Sequence, residues 1–371
     1  MSEKIFLGIG AGPIQTGIYV AGAAKGGFDR IVLADVDTDL VSAIRKSGSI
    51  TVNTALADRV ITNTYDKVEI YNPNVPEELE ILKDIASKAL AINTALPATK
   101  FYKFCVGYLR EGFARNPEAV RYVYTSENST TAADDLKAEM GVEYPNTWYL
   151  DTVIGKMSKI FAAGEADLPT LAPGYGKGHL VEEFNTIYSS SAPGIENVGI
   201  AGLYAKADLV PFEEAKLYGH NASHFLLGIL AYGKNCTYMS DAVAYPELVQ
   251  CCQDALIEEC GPALCRKYAG VDEYFTPAGF NSWAVELVKR MTNPELRDSV
   301  DRVIRDLDRK LSWNDRLIGA IRLCRSQGID PKRLMQCART AAALHALRQL
   351  SADNWPEGAE NTALLEDLTR N

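Results

Sequence analysis

The segment from Ile5 to Asp35 constrains the fold more than any other. Ile5-Phe-Leu-Gly-Ile9 is a short apolar run of strand length, and it leads into Gly10-Ala-Gly12-Pro-Ile-Gln15-Thr-Gly17. Ile18-Tyr-Val-Ala-Gly-Ala then has helical character, and Arg30-Ile-Val-Leu-Ala-Asp35 is a second β-like run that ends in a carboxylate. This is the βαβ order of a Rossmann half. Gly10 permits the tight turn. Gly12 lets the backbone approach a pyrophosphate, which then sits at the helix N-terminus. Asp35 would accept hydrogen bonds from the adenosine ribose hydroxyls, and its charge repels a 2′-phosphate, so NAD is favoured over NADP. Gln15 stands where a third glycine is usual, with Gly17 two places later. The bland alternative for the whole turn is a tight strand–helix connection.

Two further runs, Ala89-Leu-Ala-Ile-Asn-Thr94 and Val120-Arg-Tyr-Val-Tyr-Thr125, read as strands around a helical stretch from about Thr99 to Arg115. Ligands of doubly wound sheets bind at strand carboxyl ends. Asn128, in Ser126-Glu127-Asn128, is thereby placed near the nicotinamide end of the crevice, with a helix cap or turn as its alternative role. Gly10, Ala11, Gly12, Pro13, Ile14, Asp35 and Thr94 are the candidate cofactor contacts. From Pro211 onward strand-like alternation is scarce. Ala222 to Tyr232, Ala244 to Glu259, Ser282 to Met291, Glu295 to Asp308 and Pro331 to Leu350 have helical spacing, with a start at Asn293-Pro294 and a stop at Gly328. The expected fold class is α/β, with an N-terminal Rossmann-type doubly wound sheet domain over residues 1–190 and a mainly α-helical C-terminal domain over residues 191–371. Ser189-Ser-Ser-Ala-Pro-Gly194 is the expected linker, and the active site is expected between the domains.

A net charge of -10 and a pI near 5.1 argue against nucleic acid or an anionic membrane as the main partner. They leave room for an anionic small substrate in a locally basic pocket. No window offers the roughly 18 continuous apolar residues of a membrane span. Met-Ser-Glu-Lys runs directly into a strand, without the apolar region of a signal peptide, so a cytoplasmic location is expected. Eight cysteines include no CxxC pair. Cys251, Cys252, Cys260 and Cys265 match no zinc spacing and read as small apolar residues on buried helix faces, so no metal is expected.

Lys216-Leu-Tyr-Gly-His-Asn221-Ala-Ser-His224 places a lysine, an asparagine and a histidine on one helical segment. At about 100° per residue, Asn221 lies about 140° and His224 about 80° round from Lys216, so the three can share one broad face. A buried lysine can act as a base, an amide can steady a developing oxyanion, and a histidine can orient a hydroxyl. His220 reads as a surface or structural residue, and His345 as a core histidine.

Lys216-x4-Asn221-x2-His224 resembles the signature of the polyol-specific long-chain dehydrogenases, the mannitol dehydrogenase family. Gly-Ala-Gly at 10–12, Ala-Asp-Val at 34–36, Ser-Glu-Asn at 126–128 and Tyr144-Pro-Asn with Asp151 look like further blocks of that family. So do the stretch from Asn293 to Arg302 and the piece from Arg309 to Ile318, which is nearest the mannitol-1-phosphate 5-dehydrogenase branch. The resemblance implies a metal-independent NAD enzyme that interconverts a polyol or polyol phosphate and its ketose, for example mannitol 1-phosphate and fructose 6-phosphate. It implies Lys216 as general base, Asn221 and Asn128 as an oxyanion hole, and His224 as holder of a substrate hydroxyl. Asp151, Arg302 and Lys310 would line the substrate pocket. A free hexitol or hexonate as substrate, or an NAD-binding sensor without chemistry, are the competing readings. The cluster of Arg302, Arg305, Arg309 and Lys310 is either a solvated face paired with Asp301, Asp306 and Asp308 or a site for a substrate phosphate or carboxylate.

Overall fold

The computed structural model describes residues 3–344 together with 363, 364, 366 and 367, so His345 lies outside the described residues. The chain forms two compact units, Met1–Leu209 and Val210–Asn371. The first holds twelve strands among the described residues: β1 (Ile5–Ile9), β2 (Arg30–Ala34), β3 (Ser49–Ala55), β4 (Val60–Asp66), β5 (Val68–Tyr71), β6 (Ala91–Thr94), β7 (Arg121–Thr125), β8 (Thr147–Val153), β9 (Ser158–Ala162), β10 (Lys177–Glu182), β11 (Ile187–Ser190) and β12 (Leu203–Lys206).

Eight of them make one sheet in the order β12-β11-β8-β7-β6-β1-β2-β5. The run from β5 to β8 is parallel throughout. With the β3–β4 excursion set aside, those six strands stand third, second, first, fourth, fifth and sixth in chain order. That is the Rossmann arrangement, with its switch point between β1 and β6. Strand β1 is apolar along its whole length because both faces are covered. Alternate side chains enter different cores. Phe6 packs with Ile18, Tyr19 and Ile44 on one face, while Ile5, Leu7 and Ile9 pack with Ile85, Leu109 and Leu136 on the other.

The turn after β1 has the expected left-handed glycine, Gly10 at φ 81°. Its N–H donates to the Ala34 carbonyl at 2.9 Å. The helix that follows opens with i→i+5 bonding over Gln15–Val20 and continues as Ala21–Lys25. Gln15, in the third glycine's place, is fully buried and turned towards the sheet. Room for it comes from Gly8 in β1, where a β-carbon would lie 2.3 Å from Gln15 Nε2. Asn93 in β6 donates to Gln15 Oε1 at 2.8 Å. The side chain that breaks the glycine pattern is therefore accommodated by another glycine two residues before the turn.

A second sheet, β4-β3-β10-β9, was not anticipated. It packs close to the first helix: a β-carbon on Gly17 would meet Val181 of β10 at 2.6 Å. The expected linker is also corrected. Ser189 and Ser190 end β11, and β12 lies beyond them in the same sheet. Residues 191–209 thus fold with the first unit.

The second unit has no named strand among its described residues. One continuous helix, 210–233, comprises Val210–Glu214, an i→i+5 stretch Ala215–Asn221, and Ala222–Gly233. Pro246–Asp254, Pro277–Met291, Arg316–Ser326 and Lys332–Leu344 are the other long helices described. The helix expected from Glu295 to Asp308 is instead three short turns, Pro294–Leu296, Val300–Ile304 and Leu307–Lys310. Arg297 and Asp306 break it at positive φ, and the Ser299 side chain accepts from the Arg302 N–H to start a new helix. No helix of the described residues is long and apolar enough to cross a membrane.

Close backbone contact closes the first unit around its first helix. A β-carbon on Gly26, at the end of that helix, would lie 1.6 Å from the Gly199 carbonyl oxygen. Gly26→Ala should therefore cost about 3 kcal/mol, since backbone and not a flexible side chain must move. Gly107→Ala, on an exposed helix position with nothing within 4 Å, should be neutral or stabilising by about 0.5 kcal/mol. Urea melts of the two variants against the unmodified chain check both values.

Candidate active site

In the first unit the candidate site begins at the carboxyl ends of β1 and β2. The Ala11 N–H donates to Asp35 Oδ2 at 2.8 Å, and the Asp37 N–H donates to Oδ1 at 2.9 Å. These bonds fix the carboxylate beside the glycine turn. A β-carbon on Gly12 would meet nothing within 4 Å, so the turn opens onto free space. Pro13 and Ile14 are partly exposed beside it, while Ala11 is buried. An open cradle of backbone at a helix start, next to an anchored carboxylate, fits the pyrophosphate and ribose of a dinucleotide.

The ends of β6 and β7 are joined by a residue the sequence reading passed over. Glu127 is buried, and its Oε2 accepts from Thr94 Oγ1 at 2.9 Å, Tyr102 Oη at 2.5 Å and the Ser126 N–H at 3.1 Å. Its Oε1 accepts from the Leu96 N–H at 2.8 Å. Burial raises this carboxyl, against the hydrogen bonds that favour its charge. Thr94, a candidate cofactor contact, is fully buried with its hydroxyl committed to Glu127. Asn128 follows directly and is exposed. Asp151 in β8 uses Oδ1 to accept the Ala133 N–H at 2.9 Å, at the first turn of the helix Ala132–Met140. Burial raises its carboxyl as well.

In the second unit, Lys216, Asn221 and His224 all lie on helix 210–233. The i→i+5 turns alter the expected geometry. Five residues span one wide turn, so Lys216 and Asn221 are closer to alignment than the about 140° of a regular helix. Burial pulls the Lys216 ammonium down to about 8, helped by the positive Arg316 and opposed by Glu213. His220 is a buried structural residue and not a surface one, and burial holds its imidazole well below the usual range.

His224 Nε2 sits 3.1 Å from Asp298 Oδ2. The same carboxylate takes both forks of Arg302, from Nε at 2.6 Å and Nη2 at 2.7 Å. Burial would raise the Asp298 carboxyl, but His224 and Arg302 overcome it and hold it well below the usual carboxylate range. Lys310 is buried, donates to the Val303 carbonyl at 2.6 Å and lies 5.7 Å over the Phe225 ring. Burial brings it down to about 8, with Arg316 and Arg309 adding to the shift. Arg316 therefore acts electrostatically on both lysines. It is partly buried and donates to Asp315 at 2.8 Å. Arg309 pairs with Asp306 and Asp315.

Asp298 and Arg316 are additions to the expected set. Asp298 stands four residues before Arg302, a helical-pair spacing legible in sequence. Among the described residues, no group of three or more histidine, cysteine or carboxylate side chains gathers as a metal site. All eight cysteines are free, with Cys252 and Cys260 buried.

Comparison with known proteins bears on both units. Residues 208–350 match the family model of the mannitol dehydrogenase C-terminal domain. A mannitol-1-phosphate 5-dehydrogenase of Bacillus licheniformis is 28% identical over 349 residues, covering 90% of this chain and 86% of that protein. One of Paenarthrobacter aurescens is 27% identical over 370 residues, covering 97% and 90%. Among solved structures, a D-sorbitol dehydrogenase in substrate-free form superposes with a TM-score of 0.71 at 13% identity, over 91% of this chain and 80% of that one. The Pseudomonas fluorescens mannitol 2-dehydrogenase ternary complex with NAD and D-mannitol gives 0.69 at 13% identity, over 100% and 91%. At such identities the likeness to the solved structures is one of fold.

The Asp298 pairing has a pH signature. A depressed folded-state pKa contributes stability above the ordinary carboxylate range, and that contribution is lost as pH falls through the folded value. Asp298→Asn should cost about 2 kcal/mol near neutral pH, because Arg302 and His224 lose their charged partner. The deficit should shrink steadily from about pH 5 to about pH 2. Chemical denaturation of both proteins across that range measures it.

Proposed function

We propose that this chain, which belongs to the mannitol dehydrogenase family, is an NAD-dependent oxidoreductase that interconverts a polyol phosphate and its ketose, with Lys216 as the general acid and base. Mannitol 1-phosphate with fructose 6-phosphate is the first pair to test. The observation that carries the reading is the Lys216 amine, brought down to about 8 on the same helix as Asn221 and His224.

The β1–β2 end of the first unit binds the cofactor. The Gly10–Ala11–Gly12 turn, with Pro13 and Ile14, receives the pyrophosphate, and Asp35 accepts from the adenosine ribose hydroxyls and rejects a 2′-phosphate. Thr94 shapes the same crevice from beneath through its bond to Glu127. Bound NAD supplies the hydride acceptor.

Lys216 does the proton work. A free lysine, at about 10.4, is almost wholly protonated at neutral pH, whereas an amine near 8 is neutral often enough to act as a base. As the C–H hydride leaves with its electron pair, Nζ accepts the hydroxyl proton and the C–O bond becomes a carbonyl. In the reverse direction the ammonium returns that proton. Asn221 and Asn128 donate amide hydrogens to the oxygen as its charge grows, a role that needs no metal ion. His224, whose Nε2 lies 3.1 Å from Asp298 Oδ2, holds a neighbouring substrate hydroxyl. Asp151 and Lys310 complete the polyol contacts.

The phosphate preference is supported by the positive field shared by Lys216, Lys310 and Arg316, and by the names of the relatives similar along most of the chain. A free hexitol or hexonate is the second reading. It is favoured by Arg302 and Arg309 already being engaged by carboxylates.

Lys216→Ala should lower kcat for alcohol oxidation by about 10³-fold while NAD binding, measured by titration, stays intact. Oxidation by the unmodified enzyme should gain rate as pH rises through an ionisation near 8 and then level off, because the neutral amine is the active form. A flat profile would remove Lys216 from this role. Assaying NADH production with paired phosphorylated and free polyols should give at least about tenfold higher kcat/KM for the phosphorylated member, as expected of one added charge-assisted contact. Equal values would favour the second reading.

A further inference from the structure

Glu127 is a buried acid that the reaction itself does not use. It stands two residues beyond the end of β7 and grips Thr94, the last residue of β6, so it lies under the half of the crevice opposite Asp35. In a sheet of this order one half receives the adenosine ribose at the end of β2, and the other receives the nicotinamide. The groups around the carboxyl are all arranged to donate. The Leu96 and Ser126 N–H groups can do nothing else, and the Thr94 and Tyr102 hydroxyls complete the shell. A proton on the carboxyl would weaken the acceptor for the Leu96 and Ser126 N–H groups and force the Thr94 or Tyr102 hydroxyl to turn and accept. The hydrogen bonds therefore favour the ionised form against the burial that raises the carboxyl, and no lysine or arginine hydrogen-bonds to it among the described residues.

We propose that Glu127 is a positioning and electrostatic residue whose buried negative charge sets the relative affinity of the enzyme for the oxidised and reduced cofactor. The inference rests on the nicotinamide-cofactor reading above. The oxidised nicotinamide ring carries a positive charge and the reduced ring does not. A fixed, poorly solvated anion beneath that half of the crevice stabilises the first over the second. It does so without touching the polyol or transferring a proton. The same four hydrogen bonds hold the β6 loop and the segment that presents Asn128, so charge and shape are set by one side chain.

The test measures dissociation constants of NAD+ and NADH separately, by calorimetry and by nucleotide fluorescence, with no substrate present. Glu127→Gln keeps the size of the side chain and removes its charge. It should weaken NAD+ relative to NADH by about tenfold, the size expected of one charge acting over roughly 10 Å at intermediate dielectric. Glu127→Asp keeps the charge. It should weaken both forms together and leave their ratio as in the unmodified enzyme. If the glutamine variant shifts both constants by one factor, or if the aspartate variant moves the ratio as far as glutamine does, the electrostatic role is wrong. Should Glu127→Gln fail to fold, Tyr102→Phe replaces it. Loss of one donor makes the charge harder to keep, so the ratio should move in the same direction by a smaller factor, and an unchanged ratio overturns the proposal. Failure of the parent reading has a different signature: the unmodified enzyme would bind neither NAD+ nor NADH.

Discussion

Holding an ammonium group away from water is unfavourable unless something in the surroundings compensates, and the second unit buries one, Lys310, and half-buries another, Lys216. Lys216 and Lys310 are both pulled down to about 8, chiefly by burial and then by the charge of Arg316. Among the described residues neither forms an ion pair with a carboxylate, and the opposing pulls of Glu213 on Lys216 and Asp306 on Lys310 do not restore an ordinary lysine. The Lys310 proton is satisfied by a backbone carbonyl, and the nearby carboxylates are taken by arginines: Asp298 by Arg302, Asp306 by Arg309, Asp315 by Arg309 and Arg316. This distribution keeps the lysines easy to deprotonate, and the broken helix between Pro294 and Lys310 is what brings Asp298 and Arg302 together in register for it.

The first unit solves a different problem, that of placing polar groups at the end of a closely packed sheet. Gln15, Asn93, Ser126 and Tyr19 form a hydrogen-bonded chain across the first helix, β6 and the end of β7. Glu127 gathers the neighbouring strand ends and the loop after β6. Buried polar networks of this kind are favourable only when nearly every member is satisfied. Here Gln15 Nε2 lacks a partner, in a chain otherwise bonded. That atom lies against Gly8 of β1, buried beneath the turn.

Much of this was legible in the residues, for identifiable reasons. β1, β2, β6 and β7 are buried almost throughout, and β1 and β2 read as nearly continuous hydrophobic runs while β6 and β7 keep short apolar stretches between polar ends. The β3–β4 hairpin is rich in threonine and asparagine and largely exposed on one face, and it gave no comparable signal. β11 and β12 sit in serine- and glycine-rich sequence that resembles a linker, and only the pairing of β11 with β8 and of β12 with β11 makes them strands. Glu127 was in view within Ser126-Glu127-Asn128, but a burial that needs Thr94, Leu96 and Tyr102 as donors cannot be read from a tripeptide. The same holds for Arg316, whose influence on Lys216 spans a hundred residues of chain. Helical spacing located Lys216, Asn221 and His224 on one element, yet it assumed the regular turn and missed the wider one.

That wider turn gives the helix a spare residue without turning its two ends away from each other. A stretch with i→i+5 bonding contains, in effect, one residue more than a regular helix of the same rise needs. Removing a single residue between Ala215 and Asn221 would let ordinary bonding resume, and the helix would survive as a rod. Everything after the cut would keep nearly its facing relative to Lys216, because four residues at about 100° complete the same turn that five complete in the wider one. The segment therefore absorbs a change of length as architecture, and what such a deletion would alter is which side chain occupies each place in the turn, a property that composition alone would not reveal.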